Sequence, residues 1–294
     1  MPEPLAALTR INLQDLIDAF GWQNNAPFAA VARRVFHRPA EEFARQILRF
    51  DDETAERGLV EAARRTERLH ARDVRVYGSQ LLPRGGFLAL SNHPGLTDTL
   101  ALFAALGRND LRVIALHRPF LVSLVKVSRQ LYFLTDSPQD RVGLIRKVSN
   151  HLKNGGAVLS FPAGRTEPDP DAYGGAEDSL GGWIDSASLF ARLVPGIPIV
   201  PVCVRGVTWA KAARHPAARL RQAPGDRRLL ASAFQILWQT VFWRPPITIR
   251  IQIGRPIYAG HHDHRQPLDL HHAVVSSMIG LIRNPPEGEG ETAL

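Results

Sequence analysis

The fold is decided by residues 85–98, which read GGFLALSNHPGLTD. The run Phe87–Leu90 is apolar without alternation, as in a strand buried on both faces of a sheet. Leu96, Leu100 and Phe103 then follow the spacing of a helix. A buried strand that leads through a Pro-Gly turn into a helix is typical of an α/β sheet, and ligands bind at the carboxyl ends of such strands.

The same alternation of strands and helices continues along the chain. A helix is predicted over Asp140–Asn154, and the strand candidates are Val74–Val76, Phe87–Leu90, Val113–Leu116, Leu131–Leu134, Ala157–Phe161, Ile197–Val204 and Ile247–Ile253. The sequence therefore predicts an α/β domain over residues 73–283, with a mixed sheet flanked by helices. Residues 284–294 are predicted to form a disordered tail.

Residues 1–72 are predicted to form a helical region, in which Pro27 and Pro39 separate the helices. Residues 28–38 form a basic amphipathic segment, which fits either a helix on anionic lipid or a helix packed on its own domain. Leu229–Trp243 is apolar on more than one helical face and lies between arginines. It fits either an interfacial helix or a helix buried between the sheet and the N-terminal helices.

The composition limits the possible classes of protein. The chain has 294 residues, of which 45% are hydrophobic, so it can bury a large core. The net charge of +8 indicates acidic partners: an anionic membrane surface, phosphorylated substrates or nucleic acid. Cys203 is the single cysteine, which excludes a disulfide or a cysteine-rich zinc site within one chain. We expect neither a signal peptide nor a membrane-spanning segment.

His93 and Asp98 are the first candidates for chemistry. His93 lies in the turn after the buried strand, and Asp98 lies in the first turn of the next helix, where its carboxylate can return towards the imidazole. An alcohol needs a base whose pKa lies near neutrality, and a carboxylate on the other ring nitrogen orients that base. The alternative is a surface histidine beside a helix-capping aspartate.

A second candidate segment is Phe161–Thr166, which reads FPAGRT after a strand. Its turn presents Arg165 and Thr166, and a guanidinium and a hydroxyl at a loop tip suit a phosphate or carboxylate. The later strand Ile199–Val202 is interrupted by Pro201, and packing in the core also explains that run.

Taken in order, these segments resemble the PlsC-like glycerolipid acyltransferase superfamily, the lysophosphatidate and lysophospholipid O-acyltransferases. His93 and Asp98 match its His-x4-Asp motif, Phe161–Thr166 resembles its Phe-Pro-Glu-Gly-Thr-Arg motif, and Ile199–Val202 resembles its Val-Pro-Val segment. The resemblance covers roughly residues 73–210. It implies an αβ fold with an N-terminal helical pair at the membrane, and acyl transfer from a thioester to a lipid hydroxyl without a metal or other cofactor.

The sequence departs from that family at three points. Ala163 stands where the family usually has Glu, whose role is either lost or moved to Glu167, and Arg165-Thr166 reverses the usual Thr-Arg order. The family's acceptor-binding arginine has no clear match near Leu131–Asp136. Arg141 is the candidate substitute, and a solvated arginine on a helix is the alternative.

The predicted function is a peripheral O-acyltransferase at the cytoplasmic face of the membrane. His93 is the predicted base and Asp98 orients it, while Gly164, Arg165, Thr166 and Arg141 hold the acceptor lipid. Backbone N–H groups near Gly95 or Gly164 are candidates for the oxyanion hole. The donor is acyl-CoA or acyl-carrier protein, the acceptor is a lysophospholipid or related polar lipid, and the surface partner is an anionic membrane.

Two other classes of protein stay open. One is a catalytically silent lipid-binding protein with the same fold, which Ala163 suggests. The other is a nucleic-acid-binding protein, which charge alone suggests and for which no recognisable binding motif is present, so no nucleic-acid partner is expected. The histidines within residues 261–264 fit adventitious metal binding better than a metal site, because their spacing is irregular.

Overall fold

The chain folds around one mixed sheet, as the computed structural model shows. The structure describes residues 3–95, 97–135, 137–242, 247–259 and 269–294. Its helices are α1 (Glu3–Phe20), α2 (Ala26–Arg57), α3 (Leu59–His70), α4 (Asp98–Leu106), α5 (Pro119–Val122), α6 (Pro138–Lys153), α7 (Ala176–Ser179), α8 (Ser186–Leu193), α9 (Ala210–Ala213), α10 (Pro224–Phe242) and α11 (Leu270–Arg283). Its strands are β1 (Asp73–Tyr77), β2 (Phe87–Ser91), β3 (Arg112–Leu116), β4 (Leu131–Leu134), β5 (Ala157–Ser160), β6 (Ile199–Arg205), β7 (Thr248–Ile253) and β8 (Glu291–Thr292).

The strands form an eight-stranded sheet in the order β4-β3-β5-β2-β6-β7-β1-β8. Neighbours from β4 to β6 are parallel, β6 and β7 are antiparallel, β7 and β1 are parallel, and β8 is antiparallel to β1. The predicted mixed α/β sheet is confirmed. Every residue of β2 is buried because the strand lies inside the sheet with helices over both faces, which explains its uninterrupted apolar run.

Alternate residues of β2 enter two different cores. Phe87 and Ala89 pack with residues of α2, α3 and α4 on one face of the sheet. Leu88 and Leu90 pack with residues of α6, α8 and α11 on the other face. The domain therefore has three layers, and the parallel strands β2, β3, β5 and β6 all present their carboxyl ends at one edge.

The N-terminal region is helical, as expected, but Pro39 does not separate two helices. It lies inside the continuous helix α2, whereas Pro27 lies in the first turn of that helix. A proline within a helix leaves the carbonyl four residues earlier without its helical partner. That carbonyl belongs to Val35, which is exposed, so water can satisfy it. Buried Ala40 and Phe43 hold the helix in place beyond the proline.

The end of the chain was expected to be disordered, and this prediction is wrong. Strand β8 pairs with β1, and the N–H of Ala293 donates a hydrogen bond to the carbonyl of Val74 at 2.9 Å. The side chain of Ala293 is buried against the sheet. The physical reason is the open side of β1, whose unpaired N–H and C=O groups accept an added strand.

The segment predicted over Leu229–Trp243 lies in helix α10 as far as Phe242, and Trp243 lies outside the described residues. Helix α10 contacts α1 and α2. Its buried side includes Leu230 and Ala233, while Trp238 and Val241 are exposed. In the described part of the chain, no helix is long and apolar enough to cross a membrane.

Candidate active site

The turn that carries His93 is hydrogen-bonded to the neighbouring strand β6. The side chain of Asn92 is buried, its Nδ2 donates to the carbonyl of Val204 at 2.8 Å, and the N–H of Val204 donates to its Oδ1 at 2.8 Å. Asn92 thus extends the hydrogen bonding between β2 and β6 by one side chain. The chain leaves the sheet in a fixed direction, with His93 at its carboxyl edge.

His93 and Asp98 are in direct contact, as their spacing suggested. Nδ1 of His93 lies 2.8 Å from Oδ2 of Asp98, whose side chain is fully buried. The same oxygen accepts the N–H of Gly95 at 2.9 Å, and Oδ1 accepts the hydroxyl of Thr99 at 3.0 Å. Because a carboxylate accepts only, it places the imidazole proton on Nδ1. Nε2 is left as the basic nitrogen of a side chain that is 25% exposed.

The pKa of His93 is raised above its usual value near 6.5. Burial alone lowers the pKa, because it disfavours the imidazolium. The charge of Asp98 and its hydrogen bond outweigh burial, the charge of Glu167 adds to them, and the charge of Arg118 opposes them. His93 is therefore a stronger base than a free imidazole.

Glu167 joins the two motif segments, although it belongs to neither motif. The N–H of His93 donates to Oε2 of Glu167 at 3.1 Å, and the N–H of Glu167 donates to the carbonyl of His93 at 2.8 Å. Its other oxygen, Oε1, accepts Trp183 Nε1 at 2.8 Å and the hydroxyl of Ser179 at 3.0 Å. Burial raises the pKa of this carboxyl despite these donors. Glu167 therefore holds the backbone of His93 in place through hydrogen bonds. The ring of Phe161 lies 4.6 Å from the imidazole ring of His93.

We expect Glu167→Ala to lower the free energy of unfolding by about 2–4 kcal/mol. The substitution leaves the backbone N–H of His93 and the Nε1–H of Trp183 without their hydrogen-bond acceptor. Urea denaturation measures this change. Glu177→Ala is the matched control, because Glu177 makes an exposed ion pair with Arg283, and it should unfold close to wild type. Equal destabilisation by the two variants would contradict the bridging role of Glu167.

The residues predicted to hold the headgroup lie in two separate elements: Arg165 and Thr166 in one turn, and Arg141 on a helix. Arg165 and Thr166 follow Gly164, whose φ of +62° favours glycine, and the Arg165 guanidinium is exposed beside Gly182. Arg141 lies in the first turn of α6, where its Nε donates to the carbonyl of Thr135 at 3.2 Å.

The arginine whose charge acts on His93 is Arg118, which was not among the predicted site residues. It lies just before α5 and follows β3, whose carboxyl end shares the edge of β2 and β5. A charged residue two positions after the end of a predicted strand, Val113–Leu116, was the signal that could have identified it.

The N–H groups of the two glycines near which an oxyanion donor was expected are already hydrogen-bonded. The N–H of Gly95 donates to Asp98, and the N–H of Gly164 donates to the carbonyl of Phe161 at 3.0 Å. Each of these two N–H groups closes a turn that shapes the site, and an oxyanion donor elsewhere near Gly95 or Gly164 stays a prediction.

The histidines within residues 261–264 lie outside the described residues. Among the residues that are described, no three His, Cys, Asp or Glu side chains come together as a metal site would require.

One comparison, with models of protein families, agrees with the resemblance. Residues 73–205 match the family model described as Acyltransferase, so the predicted family resemblance is confirmed for the range that holds both motif segments. The crystal structure of the 1-acyl-sn-glycerophosphate (LPA) acyltransferase PlsC from Thermotoga maritima is similar with a TM-score of 0.44 and 18% sequence identity, over 95% of this chain and 98% of that chain. A search of curated protein sequences finds no match.

Proposed function

We propose that this chain, whose residues 73–205 are an acyltransferase-family domain, moves a fatty acyl group from a thioester donor to a hydroxyl of a lysophospholipid or related polar lipid. The observation that carries the proposal is the contact of 2.8 Å between His93 Nδ1 and the buried carboxylate of Asp98. It leaves Nε2 as the basic nitrogen of a side chain that is partly exposed at the carboxyl edge of the sheet, where substrates bind in α/β proteins.

The proposed reaction begins when Nε2 of His93 takes the proton of the acceptor hydroxyl as the oxygen attacks the thioester carbonyl. Asp98 stabilises the imidazolium that forms, as the aspartate of a catalytic triad does. The tetrahedral intermediate then breaks its carbon–sulfur bond, and the thiolate leaves with the proton from Nε2. The products are the acylated lipid and the free thiol, and His93 returns to its starting state.

The acceptor headgroup is proposed to be anionic. Arg118 acts on His93 through its charge, and Arg165 and Thr166 lie two residues or fewer before Glu167, which touches the backbone of His93. A guanidinium suits the planar, paired oxygens of a phosphate. Gly164 shapes this turn, and Arg141 is proposed as a further phosphate contact.

The donor is proposed to be acyl-CoA or acyl-carrier protein, both acidic, and the chain is proposed to work peripherally at the cytoplasmic face of the membrane. Helix α2 supports the lipid contact. Its Ala29 and Ala32 are buried, whereas Phe28, Val31 and Val35 form an exposed apolar stripe. Arginines next to that stripe suit anionic lipid headgroups.

The test is an acyl-transfer assay with labelled acyl-CoA and acyl-carrier protein against lysophosphatidate, other lysophospholipids, glycerol 3-phosphate and uncharged monoacylglycerol. We expect product with at least one lysophospholipid and little with monoacylglycerol. A chain that binds lipid but acylates no acceptor would refute the proposal and favour the catalytically silent lipid-binding protein.

Arg118→Gln is expected to raise the KM for the preferred anionic acceptor by about tenfold, because it removes one charge-assisted contact to the headgroup. The KM for a neutral acceptor should change little, since that acceptor has no anion to hold. Initial rates against acceptor concentration measure both values. Arg192→Gln is the control, because Arg192 lies in the last turn of α8, in the helical layer over the opposite face of the sheet from α2, α3 and α4. An equal KM rise for both acceptors would contradict the assignment.

A further inference from the structure

Helix α10 exposes an apolar surface that its own domain does not cover. Trp238, Val241 and Phe242 are 43%, 54% and 53% exposed. The Trp238 ring lies 4.3 Å from that of Phe242 and 5.2 Å from that of Trp209, which precedes α9. We call Trp209, Trp238, Val241 and Phe242 the aromatic face. Because the other side of α10 is buried against α1 and α2, this helix is apolar in two directions.

The aromatic face is tied to the catalytic turn by one buried glutamine. Nε2 of Gln235 donates to the carbonyl of Val207 at 2.9 Å, and its Oε1 accepts the N–H of Trp209 at 2.7 Å. Val207 in turn packs on Gly95, so closely that a Cβ at Gly95 would lie 3.1 Å from its Cγ1. A surface that binds to the aromatic face is thereby held at a fixed position relative to His93.

The segment around the aromatic face is strongly basic. Residues 206–242 contain six Lys and Arg against the single acid Asp226, a net charge of +5 out of +8 for the whole chain. Asp226 is paired with Arg221 at 2.8 Å. Lys211 lies 6.0 Å from the centre of the Trp209 ring, so a cation directly borders the apolar side chains.

We propose that the aromatic face docks on an anionic lipid bilayer and holds the carboxyl edge of the sheet against it. Tryptophan and phenylalanine insert at the boundary of headgroups and acyl chains, and the cations around them meet the anionic headgroups. An acidic protein would match the same cations but leave the adjoining aromatic side chains without an apolar partner. This inference rests on the proposed function, because a lipid acceptor is supplied at the bilayer.

The test is sedimentation of the full chain with vesicles of equal parts phosphatidylglycerol and phosphatidylcholine, without any acyl donor. Phe242→Asp and Val241→Asp should each weaken binding by at least about tenfold, since each removes an inserted side chain and adds a charge that anionic headgroups repel. Leu193→Asp is the matched control and should bind as wild type. Leu193, like Phe242, is the exposed last residue of its helix, but it lies at the opposite edge of the sheet from His93, next to the loop that leads into β6.

The binding assay stands apart from catalysis, because it can be run on His93→Ala with the same expected result. Wild type that does not sediment with the vesicles, or equal binding by all three aspartate variants, overturns the inference. So does a Phe242→Asp variant that keeps vesicle binding and instead raises the KM for acyl-carrier protein, which would assign the face to an acidic protein. Thermal unfolding close to that of wild type checks that each variant is folded.

Discussion

His93→Ala is expected to lower kcat/KM for acyl transfer by at least about a hundredfold, the low end for a positioned general base. Without the imidazole, the acceptor hydroxyl must lose its proton to water while it attacks the thioester. The charges of Arg118 and Arg165 remain, so acceptor binding should be weakened much less than turnover. Steady-state rates with the preferred donor and acceptor separate the two effects.

The matched control is His272→Ala, because His272 is exposed on α11 and contacts neither motif segment in the described structure. It should keep the wild-type rate. His93→Ala should also remain folded, since the contacts between the two loops run through the backbone of His93 and the carboxylate of Glu167. Equal rates for wild type and a folded His93→Ala would refute the general base.

The parts of the fold that the sequence predicted are those governed by local pattern. Phe87–Leu90 is apolar at every position because β2 is covered on both faces, so the burial of this strand can be predicted from its sequence. His93 and Asp98 are five residues apart on one turn and the helix that follows, so their contact could also be predicted. Each of these features is set within about a dozen residues.

The features that were missed depend on contacts between distant parts of the chain. The tail is ordered because β1 offers an open edge, and nothing within residues 284–294 encodes that edge. Arg118 reaches the site only because β3 lies two strands from β2 in the sheet. The continuity of α2 through Pro39 depends on packing beyond the proline, which outweighs a strong local signal.

The position of Glu167 bears on the departure from the motif at Ala163. Ala163 stands where the resembled motif has a glutamate, and the sequence left open whether that role was lost or moved. The carboxylate of Glu167 holds the backbone of His93 and is held by Trp183, a contact between two residues 16 positions apart. A buried acid four residues after Ala163 therefore supports the interpretation that the role moved.

Asp98→Asn is the second large effect, and it separates charge from geometry. The asparagine can keep its oxygen towards Nδ1 of His93 and the N–H of Gly95, and its amide can face the hydroxyl of Thr99. The shape of the turn is then preserved while the negative charge is lost. We expect kcat/KM to fall by about a hundredfold or more, because the imidazolium that forms during proton transfer loses its counter-charge.

The pH profile of Asp98→Asn should move in a defined direction. His93 acts as a base only when neutral, so activity is lost as pH falls through its pKa, which the charge of Asp98 raises in the wild type. Removing that charge lowers the pKa, and the acidic limb of kcat/KM should shift to lower pH even as the plateau falls. Rates from about pH 5 to about pH 9 cover the acidic limb of the wild type and that of the variant. A limb that stays in place, or moves to higher pH, would mean that Asp98 does not raise the pKa of His93. The substitution removes the charge of Asp98 and leaves burial and the charges of Glu167 and Arg118 as they were.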